Sequence, residues 1–104
     1  MDIAEWRKQI DELDRRLVEL LNQRAQAAHE IGKLKRNSGM PIYEPDREKI
    51  IFANIEAKNT GPLSNRQLRQ VYERLIDVMR QIQREEMAPA PEGEGEVTEL
   101  EEND

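Results

Sequence analysis

The stretch Ile3–Leu34, IAEWRKQIDELDRRLVELLNQRAQAAHEIGKL, decides the fold. Its positions Ile3, Trp6, Ile10, Leu13, Leu17, Leu20, Arg24, Ala27, Ile31 and Leu34 step alternately by three and four without a slip, the stripe of one long amphipathic helix. Arg24 stands in the middle of that stripe, where an apolar residue is due. A guanidinium on a buried stripe loses hydration worth on the order of several kcal/mol unless anions and hydrogen bonds replace the water. The position therefore calls for an anionic partner.

A helix of about 34 residues spans roughly 50 Å, against a mean helix length of about 11–12 residues. A chain of 104 residues makes one small domain, narrower than that. The rest of the chain folding back is expected to cover part of the stripe, leaving Trp6 to Leu20 as exposed apolar surface unless a second copy covers it. The reading is all-α: three helices, one long, one short and one medium, forming an intertwined homodimer.

Local signals place the boundaries. The first helix is predicted from about Ile3 to Arg36, stopping at Asn37-Ser38-Gly39 with Pro41 just beyond, and its basic end (Lys33, Lys35, Arg36) suits the negative pole of the helix dipole. Met40 to Tyr43 is extended. Pro45, whose missing N–H is harmless at a first helical position, opens the second helix, which carries Ile50, Ile51 and Ile55 and ends before Asn59-Thr60-Gly61-Pro62. Ser64, with Gln67 three residues on, caps the third, whose stripe is Leu68, Val71, Tyr72, Leu75, Val78, Met79 and Ile82 and which frays around Glu86.

Composition removes whole classes of function. There is no cysteine, so disulfides and thiolate chemistry are excluded. The amino terminus lacks a basic region followed by an apolar run, and no stretch approaches the roughly 18 apolar residues of a membrane span, so a soluble, cytoplasmic protein without a membrane partner is expected. Of the 22 acids behind the net charge of −6, seven lie in Met87–Asp104, which leaves 15 against 16 bases in residues 1–86. A near-neutral folded part argues against nucleic-acid binding, which needs a basic face. Residues 1–86 are read as the folded domain. Residues 87–104, Pro, Gly and Glu with almost nothing apolar, are read as a disordered acidic tail.

Helix geometry decides which polar residues cooperate. Arg24 and Lys35, separated by about three turns or roughly 16 Å, project from nearly the same side of the first helix and bracket a small ligand. Arg7 lies some ~25 Å up the helix from Arg24, so it joins the same site only from an antiparallel second subunit. Arg47 and Glu48 open the second helix, and Gln83 follows Met79 by one turn on the third. Three basic groups, a carboxylate and an amide converge on one pocket.

Four segments in order, Trp6-Arg7-Lys8-Gln9-Ile10-Asp11-Glu12-Leu13-Asp14, Leu20-Leu21-Asn22-Gln23-Arg24, Glu30-Ile31-Gly32-Lys33-Leu34-Lys35 and Pro41-Ile42-Tyr43-Glu44-Pro45-Asp46-Arg47-Glu48, make the chain resemble the all-helical chorismate mutases over about residues 3–85. The resemblance implies the rearrangement of chorismate to prephenate, the branch step toward phenylalanine and tyrosine, in a dimer with two equivalent sites and no metal or cofactor. It implies that Arg24, with Arg7 of the second chain, holds the two substrate carboxylates, and that Lys35 reaches a carboxylate and the ether oxygen. Gln83 is implied to donate to that oxygen, Glu48 to accept the ring hydroxyl, and Arg47 to support it. Two positions depart from the pattern: Glu44 stands where some relatives have aspartate, and Met79 where some have a serine, which leaves Met79 as a wall.

Each residue also has a plainer reading. Arg7, Lys35 and Arg47 suit solvated helix faces, and Arg24 suits a polar device that sets helix register. His29 falls opposite the stripe and reads as a surface residue. Gly32 costs its helix roughly 1 kcal/mol against alanine and admits the close approach of another helix or a ligand. Two other functions fit the pattern: an isochorismate pyruvate lyase of the same fold, and a non-enzymatic helical dimerisation module. Docking on another enzyme of the pathway is a further role that the resemblance admits.

Overall fold

The computed structural model describes residues 1–88, which form three helices: α1 (Ile3–Ser38), α2 (Pro45–Lys58) and α3 (Asn65–Met87). Each boundary has a local cause. Asp2 caps α1 in a reciprocal box with Glu5, its carboxylate accepting from the Glu5 N–H at 2.9 Å while Glu5 accepts from the Asp2 N–H at 2.9 Å. At the other end α1 runs two residues past the predicted Arg36. Ser38 Oγ donates to the Leu34 carbonyl at 2.9 Å, and Gly39, at φ 73°, donates its N–H to the Lys35 carbonyl at 2.8 Å. The glycine takes the left-handed conformation that closes the helix.

Pro45 is the first residue of α2, as its sequence predicts, but the preceding Glu44 makes no side-chain cap. Its carboxylate goes instead to Lys35 Nζ, 2.8 Å away. Ser64 and Gln67 form the predicted capping box of α3, and the Asn59 amide donates to the Leu63 carbonyl at 2.9 Å, tying the connecting turn. Glu56 accepts from Arg69 at 3.0 and 3.2 Å while that guanidinium lies 4.1 Å over the Phe52 ring, joining α2 to α3.

α3 packs against both α1 and α2. It meets α1 along Ala28, Gly32 and Lys35, all buried, and not along the neighbouring residues of the long stripe. The fold-back covers only a little of that stripe: Arg24 is half-buried, and Ala27 and Ile31 border the space between the helices, but Ile31 is still 44% and Leu34 67% exposed. The cause is close approach. A methyl group on Gly32 would sit 3.0 Å from Glu86 Cβ and 3.2 Å from Gln83 Cα, so α3 crosses where α1 has no side chain. The missing Cβ draws the contact to this face.

Among the described residues the buried apolar ones are Ala28, Ile76 and Met79, a very small core. Ile76 takes the place that the stripe reading gave to its neighbours, and Val71 of that stripe is 56% exposed. α3 ends at Met87, in keeping with the predicted end around Glu86. Glu86 is held there by His29 Nδ1 at 3.0 Å and by Arg36, which also donates to the Glu86 carbonyl at 2.8 Å. His29 is thus a surface residue with a partner. Of the predicted disordered tail, residues 87–104, Met87 is the last residue of α3, and the part beyond Ala88 lies outside the described residues.

Candidate active site

Where α3 diverges from the carboxyl-terminal half of α1, a cleft of about 370 Å³ opens, bounded on its third side by residues 42–48. Its apolar floor comes from Ala28, Ile76 and Met79, buried for the packing reasons above. Around that floor stand Arg24 and Lys35 from α1, Glu44 from the connection, Arg47 and Glu48 from the first turn of α2, and Arg80 and Gln83 from α3. Four cations face two carboxylates, an excess of two positive charges. Such a cleft suits a small dianion.

Lys35 is the organising residue. It is only 4% exposed, and its ammonium has three acceptors: Glu44 Oε1 at 2.8 Å, Gln83 Oε1 at 2.8 Å and the Ile42 carbonyl at 3.1 Å. Three donors meeting three acceptors, one of them anionic, offset the loss of water around a buried charge. The same contacts fasten α1 to the 42–44 segment and to α3. Because Gln83 accepts through its oxygen, its Nε2 is left as the donor end of the amide.

The remaining charges divide into paired and unpaired. Arg80 NH1 lies 3.4 Å from Glu48 Oε2, and its guanidinium lies 5.4 Å from the centre of the Tyr43 ring. Arg24, half-buried, and Arg47, exposed, line the cleft with no carboxylate partner among the described residues. They are the cations free to receive an anionic ligand.

Seven of the eight residues singled out in the sequence line this one cleft: Arg24, Lys35, Glu44, Arg47, Glu48, Met79 and Gln83. Arg7 does not, being on the exposed amino-terminal half of α1. Arg80 is the charged lining residue that sequence reasoning missed. Its signal was the row Ile76, Met79, Arg80 and Gln83, spaced by three, one and three, which places it beside two residues of the inner face.

Residues 6–84 match the family model of chorismate mutase type II. The chain belongs to the chorismate mutase type II family. The fold agrees: form II of the chorismate mutase of Thermus thermophilus superposes with a TM-score of 0.77 at 29% identity, over 79% of this chain and 93% of that one. The Helicobacter pylori chorismate mutase, whose crystal structure holds prephenate, superposes with a TM-score of 0.77 at 27% identity, over 86% of this chain and 97% of that one. Among full-length relatives, the bifunctional chorismate mutase/prephenate dehydratase of Aquifex aeolicus is 43% identical over 54 residues, 52% of this chain. The match spans 15% of that protein's length.

Proposed function

We propose that this protein is a chorismate mutase that rearranges chorismate to prephenate as a homodimer. The observation that carries the reading is the pairing of buried Lys35 with Gln83 at 2.8 Å in a cleft with two surplus positive charges.

The reaction is a pericyclic shift within one molecule: a C–O bond breaks while a C–C bond forms, and no proton, electron or group passes to the protein. Catalysis then consists of holding a dianion in a compact chair and stabilising the negative charge that develops on the ether oxygen. Arg24 takes one substrate carboxylate, and Arg7 of the second chain takes the other. Gln83 Nε2 donates to the ether oxygen, where charge grows as the bond breaks, and Lys35 Nζ joins it by exchanging one of its three protein acceptors for the substrate. Glu44 keeps Lys35 in place, Glu48 accepts the ring hydroxyl with Arg47 beside it, and Met79 forms the floor. A cytoplasmic location goes with this reading.

The homodimer is supported by the uncovered α1 stripe. Trp6, Ile10, Leu13, Leu17 and Leu20 are all more than half exposed along the helix, an apolar face far longer than the three-residue core of one chain. A second antiparallel chain laid on that face brings its Arg7 toward Arg24.

The test is to supply chorismate and isochorismate separately and identify the products, with Arg24→Ala as control. Prephenate from chorismate, absent in the variant, is expected. Pyruvate release from isochorismate without prephenate formation would assign the cleft to lyase chemistry instead, and no turnover of either by a folded dimer would leave a helical interaction module.

A further inference from the structure

We infer that Arg80 is a positioning residue of the cleft, which holds the Glu48 carboxylate where it accepts the substrate's ring hydroxyl and away from the two unpaired arginines; the inference rests on the mutase reading above. Both terminal nitrogens of Arg80 already face carboxylates of its own chain: NH1 is 3.4 Å from Glu48 Oε2, and NH2 is 3.8 Å from Asp77 Oδ1. Its charge is matched locally. That separates it from Arg24 and Arg47, which have no such partner among the described residues and receive the substrate's anions.

The guanidinium plane is fixed from a third direction by Tyr43, 5.4 Å from its carbon, in the same short connection whose Ile42 carbonyl accepts from Lys35. Arg80 therefore ties α3 and the 42–44 segment to the first turn of α2, where Glu48 stands. The contact between the two is made at Oε2 of Glu48, and a carboxylate with one such contact keeps further lone pairs with which to accept.

The need for such a tether follows from the charges around it. Glu48 shares the cleft with Arg24 and Arg47, and a carboxylate on a flexible stem is drawn to any unpaired cation within reach. Loose, it would occupy the cations that the dianion requires. Arg80 gives Glu48 a standing partner and keeps those sites open. Its Nε is buried without a hydrogen-bond partner, so the side chain is not optimised for stability alone.

The experiment compares steady-state kinetics and thermal midpoints of wild type, Arg80→Met, Arg80→Lys, Glu48→Gln and the Arg80→Met/Glu48→Gln double variant, with chorismate as substrate. Arg80→Met is expected to raise KM about tenfold with kcat little changed, because a contact remote from the breaking bond is the same in ground and transition states. Arg80→Lys, which keeps a cation for Glu48, is expected to recover most of that loss. The double variant is expected to match Glu48→Gln alone, since both changes remove one device. The midpoint of Arg80→Met is expected to equal or exceed that of wild type. Arg80→Gln serves the same comparison if the methionine variant does not fold.

An unchanged KM in Arg80→Met, a KM rise that tracks a fall in midpoint, or losses that multiply in the double variant would each overturn the positioning role. If wild type itself forms no prephenate, the mutase reading fails and this inference with it. An active wild type with multiplying losses removes only the role of Arg80.

Discussion

Lys35 Nζ donates to Gln83 Oε1 at 2.8 Å, joining two residues 48 positions apart in sequence and fixing α3 against α1 in the wall of the cleft. With Lys35 buried and Glu44 neutralising it, the amide oxygen is taken up by the ammonium and the NH2 group is left as the donor end. The pair presents a cation and a neutral donor to one point.

Lys35→Ala and Gln83→Ala are each expected to lower kcat/KM for prephenate formation by about a hundred- to thousandfold, the loss typical of one donor to a developing oxyanion. Measured rates within a few-fold of wild type in either variant would remove that residue from the chemistry.

Gly32→Ala opposes two effects. Alanine gains about 1 kcal/mol of helix propensity, but its methyl would meet Gln83 Cα at 3.2 Å, a backbone atom that does not yield without moving α3. Overpacking costs about 1–3 kcal/mol, so net destabilisation by roughly 1 kcal/mol in urea unfolding is expected, with lowered activity as Gln83 shifts from Lys35. A stabilised, fully active variant would show that the crossing of α3 over α1 is looser than this.

Much of this arrangement was legible in the sequence. The alternating three-and-four spacing of Ile3 to Leu34 is insensitive to tertiary context, and Pro45, Gly39 and Ser64 act through their own backbone or nearest neighbours. Arg24 was legible because a charge on an apolar stripe is costly and stands out, whereas Lys35, Arg47 and Gln83 read singly as ordinary polar residues and were legible only together, through the resemblance to the family pattern. Which face of α1 receives α3 was not: Ala27 and Ala28 differ by one residue and about 100° of rotation, and only Gly32 distinguishes their sides. Arg80 was missed for the same reason, and so was the Asp2–Glu5 capping box, a short polar pattern that many sequences carry without using.

Arg24 has no carboxylate beside it among the described residues, so without ligand its half-buried charge is a cost. Arg24→Met is expected to raise the midpoint of thermal unfolding by a few degrees, about 0.5–2 kcal/mol, while abolishing turnover. A destabilised variant would point instead to a structural partner for this arginine.

The exposed α1 stripe makes a further demand. Leu13→Asp puts a charge where the proposed partner chain lies, and is expected to abolish dimerisation and, with only a small core left in one chain, most helical structure at micromolar concentration. Sedimentation and circular dichroism read both. A dimer of undiminished stability would show that this face is not the interface.

The most direct test of the central claim, one active site built from two chains, is complementation between Arg7→Ala and Arg24→Ala. Each variant alone is expected to be nearly inactive. When they are co-expressed, random pairing makes half the dimers mixed, each with one intact site and one doubly impaired site, so about a quarter of the wild-type prephenate-forming rate is expected to return. A mixture no more active than its components, or an Arg7→Ala variant that is active by itself, would contradict a site completed by the second chain.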